Sequence, residues 1–78
     1  MIAIVDYGVG NLKNVYNALT QLGMECIITG DREAIDQADA IVLPGVGAFK
    51  DAMDHLVDSG LDKVIKDYAA KGKPLLGI

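Results

Sequence analysis

Short apolar runs alternate with glycine-bearing turns and amphipathic stretches along the chain. Ile2-Ala3-Ile4-Val5 is a continuous apolar run, the pattern of a strand covered on both faces. The turn Tyr7-Gly8-Val9-Gly10 leads to Asn11, a side chain suited to capping a helix. Leu12, Val15, Tyr16, Leu19 and Leu22 then recur at helical spacing, and Gly23 is placed to close that helix. Cys26-Ile27-Ile28 predicts a second strand. From Asp31 to Ala38 only Ala34, Ile35 and Ala38 share a face, which predicts no more than a short helical turn. Ala40-Ile41-Val42-Leu43 predicts a third strand, stopped by Pro44. After Gly45-Val46-Gly47 comes a helix with Phe49, Met53, Leu56 and Val57 on one side, ended or kinked at Gly60. Leu61, Val64, Ile65 and Tyr68 form a further stripe closed by Gly72 and Pro74. Its polar side places Asp62 with Lys66 and Asp67 with Lys71 at i,i+4, the favourable order for ion pairs. Leu75-Leu76-Gly77-Ile78 predicts a fourth strand.

Strands alternating with helices specify an α/β fold: three layers, a mainly parallel sheet with flanking helices, cut after the fourth strand. Ligands of such sheets bind at the carboxyl ends of the strands. Those ends are Asp6-Tyr7-Gly8, Thr29-Gly30-Asp31, Pro44-Gly45-Val46-Gly47 and whatever follows Ile78. A sheet that stops there exposes an open edge, which invites association.

Composition narrows the class. Seventy-eight residues make one small domain at most, or a piece of a larger one. At 51% hydrophobic and 23% charged, the chain is too apolar for disorder. Seven basic against eleven acidic residues give a net charge of −4, which argues against nucleic acid as a partner. No apolar run approaches the roughly 18 residues of a membrane span. Met1 to Asp6 lack the basic head of a signal peptide, so a soluble, cytoplasmic chain is expected. The single cysteine, Cys26, excludes an internal disulfide and a cysteine-based metal cluster.

Two glycine turns are candidates for chemistry. Gly8-Val9-Gly10 begins like the dinucleotide fingerprint, with Asp31 about 20 residues on, where a ribose-binding acid falls. Lys13 occupies the third glycine position, however, so a plain strand-to-helix turn is favoured. Pro44-Gly45-Val46-Gly47 is more pointed: glycines allow positive φ or a flipped peptide, and such a loop can aim backbone N–H groups at a developing oxyanion. His55, the only histidine, lies between Asp51 and Asp58 on one helical face; zinc needs three or four converging ligands, so a solvated face is expected, with no metal. Cys26 reads as a small buried hydrophobe. Neither a Ser-His-Asp nor a Cys-His set can be assembled. Asn11, Asn14 and Asn17 make the first helix's face rich in amides, which can be satisfied in an interface without desolvating a charge.

Taken together, Ile4-Val5-Asp6-Tyr7-Gly8-Val9-Gly10-Asn11-Leu12, Leu43-Pro44-Gly45-Val46-Gly47-Ala48-Phe49 and Pro74-Leu75-Leu76-Gly77-Ile78 resemble the class I glutamine amidotransferases. The particular likeness is to the glutaminase subunits of imidazole glycerol phosphate synthases, and it spans all 78 residues, in order. Tyr-Gly-x-Gly-Asn and Pro-Gly-Val-Gly are its specific motifs, since related glutaminases more often read Pro-Gly-Gly. The resemblance implies that residues 1–78 are the N-terminal part of one glutamine amidotransferase domain, with no cofactor. It implies hydrolysis of glutamine to glutamate and ammonia, channelled to a (β/α)8-barrel cyclase in histidine biosynthesis. Gly45, Val46 and Gly47 would be the oxyanion loop, and Asn11 and Asn14 would face the cyclase near the ammonia exit. Gly77-Ile78 matches the start of a G-x-C-x-G nucleophile elbow. The cysteine would come next, with its histidine and glutamate far downstream, so these residues alone would be inactive. Two other readings remain open: a non-catalytic βαβ module that binds a nucleotide or small anion, and an inert docking fragment.

Overall fold

The computed structural model describes residues 1–8, 11–45 and 49–77, and of residues 49–51 the backbone alone. The elements are β1 (Ile2–Val5), α1 (Leu12–Gln21), β2 (Cys26–Thr29), α2 (Arg32–Gln37), β3 (Ala40–Leu43), α3 (Phe49–Ser59), α4 (Asp62–Ala70) and β4 (Leu75–Gly77). The strands form one sheet in the order β2-β1-β3-β4, all parallel. Ile4 pairs with Ile28 and Val42, and Val42 with Leu76, which fixes the faces of the pleat.

This order explains where the helices go. The chain steps one way from β1 to β2, then back past β1 to β3 and on to β4. Right-handed crossovers therefore place α1 on one face and α2, α3 and α4 on the other. The two cores follow. On the crowded face Ala3, Val5, Ile41 and Leu43 pack with Ile35, Ala38, Ala52, Leu56, Leu61 and Tyr68. Ile4, Cys26 and Val42 face Leu12, Val15 and Leu19 of α1.

The expected three-layer parallel α/β arrangement is observed, with local differences. Tyr16 and Leu22 do not join the stripe of α1: both are exposed, Leu22 at 72%. Leu12, Val15 and Leu19 span the sheet-facing side by themselves, and one helix cannot cover four strands. Ile28 and Leu76 on that face stay partly exposed for the same reason. Val57 is 57% exposed, because Ala52 and Leu56 supply the buried side of α3 instead. The side chain of Phe49 and the strand position of Ile78 lie outside the described residues. The stretch after Asp31 forms a six-residue helix rather than a bare turn, held by Ile35 in the core.

Helix ends follow their sequence signals. Gly23 has φ +80, Gly23 N–H donates to the Thr20 carbonyl and Met24 N–H to that of Leu19, a complete Schellman closure. Gly60 closes α3 in the same way. Lys71, expected to pair with Asp67 along α4, instead reaches Asp36 on α2 and holds that carboxyl below the usual range. Neither i,i+4 pair of α4 forms among the described residues. The N-terminal ammonium pairs with Asp39. Both pairs are exposed and add little stability.

Candidate active-site edge

The reversal of strand order lies between β1 and β3, and in an open parallel sheet the crevice at such a switch point receives ligands. The turns that leave this crevice are the two glycine turns singled out in the sequence. Tyr7 lies two residues past β1 and Pro44 one past β3, on adjacent strands. The Tyr7 hydroxyl donates a hydrogen bond to the Pro44 carbonyl oxygen. Both residues are buried, and burial pushes the Tyr7 phenol above its ordinary range, so it remains a donor at neutral pH. Gly45 follows with φ +84. Proline followed by a positive-φ glycine is the central pair of a type II turn.

Gly45 is thus at the crevice in the conformation that its lack of a Cβ permits. Val46 and Gly47, the remaining oxyanion-loop candidates, lie outside the described residues, as do Val9 and Gly10 of the first turn. Asn11 and Asn14 are both exposed at the start of α1. The Asn11 side-chain oxygen accepts from the Asn14 N–H at 3.2 Å, which is the expected helix cap. Asn14 takes part through its backbone only, and the outward amide face of the helix includes Asn17.

Sequence reasoning missed two groups at this edge. One is Tyr7, whose partner is 37 residues away; a tyrosine at the carboxyl end of a buried strand was the available signal, since buried phenols find acceptors. The other is His55. It is exposed, as expected, but a Cβ on Gly8 (φ +89) would lie 3.3 Å from its Nδ1, so the ring sits over the first turn. An open groove of about 520 Å³ lies elsewhere, between α2 and α4, and the Lys71–Asp36 pair neutralises part of its lining.

Cys26 is buried against α1 on β2, on the amino side of the sheet. It is packed as a small hydrophobe. Cys26→Ser is expected to destabilise the protein by about 1–3 kcal/mol through a buried hydroxyl, and to leave any thiol-dependent activity unchanged; urea unfolding and an activity assay on the same preparation check both halves. Among the described residues no group of three or more His, Cys, Asp and Glu side chains could hold a metal ion, and no helix is long and apolar enough to cross a membrane. Lys13 is exposed on α1 where a dinucleotide-binding turn would need its third glycine, and Asp31 makes no side-chain capping bond. Among the described residues, no observation at this edge favours the nucleotide reading.

The chain has close relatives. It is 55% identical over all 78 residues to the imidazole glycerol phosphate synthase subunit HisH of Oceanobacillus iheyensis, covering 39% of that protein. To the protein of the same name from Exiguobacterium sibiricum it is 54% identical, covering 40%. To that of Sulfurimonas denitrificans it is 51% identical, covering 38%. In each case the whole of this chain is matched, so it is homologous to these proteins while spanning about two fifths of their length. No protein-family model matches the chain.

Proposed function

We propose that this chain is the N-terminal part of the glutaminase subunit of an imidazole glycerol phosphate synthase. The observation that carries the reading is identity of about half over all 78 residues to subunits of that name. Supporting it is the placement of Pro44 and Gly45 at the sheet's switch point, with Gly45 already in a left-handed conformation.

The chemistry would be hydrolysis of glutamine to glutamate and ammonia. A cysteine directly after Ile78 attacks the amide carbon, a downstream histidine and glutamate manage the protons, and a thioester is then hydrolysed. The loop Gly45-Val46-Gly47 stabilises the oxyanion with backbone N–H groups. Ammonia passes to a (β/α)8-barrel cyclase, which contacts Asn11 and Asn14, and the heterodimer serves histidine biosynthesis in the cytoplasm. The mechanism uses a thiol, an imidazole, a carboxylate and backbone groups, so it calls for no cofactor. The 78 residues hold one buried cysteine and one exposed histidine, so by themselves they release no ammonia.

The test is glutamate release by the whole gene product with its cyclase. Glutamine-dependent turnover that the cyclase stimulates is expected. Absence of turnover in a folded, cyclase-bound preparation rejects the reading.

A further inference from the structure

We propose that the Tyr7 hydroxyl is a positioning group for the loop after β3: its hydrogen bond to the Pro44 carbonyl fixes the peptide between Pro44 and Gly45. This role rests on the glutaminase reading. A trans peptide is planar, with C=O and N–H pointing opposite ways. Holding the Pro44 oxygen therefore holds the Gly45 N–H, and with it the direction in which the chain leaves the sheet. Gly45 at φ +84 follows a proline, as in a type II turn. The competing type I turn differs by rotation of this same peptide, which would carry Gly45 to φ near −90°. That rotation turns the Pro44 oxygen away from Tyr7 and breaks the bond.

The anchor is rigid on both sides. Tyr7 is 4% exposed and packed in the larger core with Val5, Leu43 and Ala52, while Pro44 is buried and its φ is limited by the ring. Once the hydroxyl is removed, this buried hydrogen bond no longer favours one orientation of the peptide over the other.

The experiment compares Tyr7→Phe with Tyr68→Phe in the whole protein bound to its cyclase. Tyr68 is the matched control: its buried hydroxyl also donates to a backbone carbonyl, that of Ala38, just before β3 at the amino edge of the sheet. Both variants lose one buried phenol-to-carbonyl bond, so general destabilisation is similar. Tyr7→Phe is expected to lower kcat for glutamine hydrolysis about tenfold or more, as misplaced catalytic groups do, with KM within about twofold. Tyr68→Phe should keep both constants. The proposal is overturned if kcat of Tyr7→Phe stays within about twofold of the parent, or if Tyr68→Phe loses as much. A parent protein with no glutamine hydrolysis overturns the glutaminase reading, and this role with it; a parent that works beside an unimpaired Tyr7→Phe overturns this role alone.

Discussion

Replacing Tyr68 with alanine should remove a large share of the folding stability of a protein that carries this sequence. Tyr68 is fully buried and is the largest such side chain, packed among Ile35, Ala38, Leu56 and Leu61 where α2, α3 and α4 meet the sheet. Its hydroxyl donates to the Ala38 carbonyl at 3.0 Å. Truncating a buried aromatic costs about 3–5 kcal/mol in lost transfer energy and residual cavity. A buried carbonyl left without its donor adds about 1–3 kcal/mol. Against a usual domain stability of about 5–15 kcal/mol, that loss is a large share. Tyr68→Phe keeps the ring and should lose only the hydrogen-bond part, about 1–3 kcal/mol. Urea unfolding followed by circular dichroism measures both. An alanine variant within about 1 kcal/mol of the parent would show that this core does not bind the helical layer to the sheet.

The second large effect is on activity. Gly45→Ala in the whole protein, with its cyclase, should lower kcat for glutamine hydrolysis by about 10²-fold, the scale of damage to an oxyanion hole. At φ +84 an alanine is strained by about 1–2 kcal/mol. The nearest relief is rotation of the Pro44–Gly45 peptide, which costs the Tyr7 hydrogen bond and re-aims the loop. Gly23→Ala separates strain from function. Gly23 has nearly the same φ, +80, and nothing lies within 4 Å of the Cβ it would gain. Its alanine variant should show a similar fall in melting temperature and unchanged kcat. Equal kcat in the two variants would remove Gly45 from the catalytic account.

The two central strands were legible because burial on both faces requires unbroken apolar runs, as in Ile2–Val5 and Ala40–Leu43, and little else produces them in so short a chain. Gly23 and Gly60 marked their helix ends, since the left-handed closing position selects for glycine. Periodicity misjudged Tyr16, Leu22 and Val57 because it reports which residues share a face of one helix, and says nothing about how far the neighbouring layer extends. The same limit hid the cross-helix pairing of Lys71 with Asp36: spacing sees only partners on its own helix.

At the candidate site, the positive φ of Gly45 was legible from Pro-Gly chemistry and the helix cap of Asn11 from its position. Tyr7 was not, because its hydrogen bond exists only after β1 and β3 are laid side by side. His55 over Gly8 is a contact of the same kind. The resemblance in the motifs supplied what pattern alone could not, a proposed reaction for the turn after β3.

The most direct test of the account is the site of covalent capture by an electrophilic glutamine analogue. The whole gene product, bound to its cyclase, is treated with the analogue, and its peptides are mapped by mass spectrometry. One adduct is expected, on a cysteine immediately following Ile78, with none on Cys26 and loss of glutamine hydrolysis in proportion to labelling. An adduct on Cys26, or full hydrolysis by a protein with no cysteine after Ile78, would contradict it.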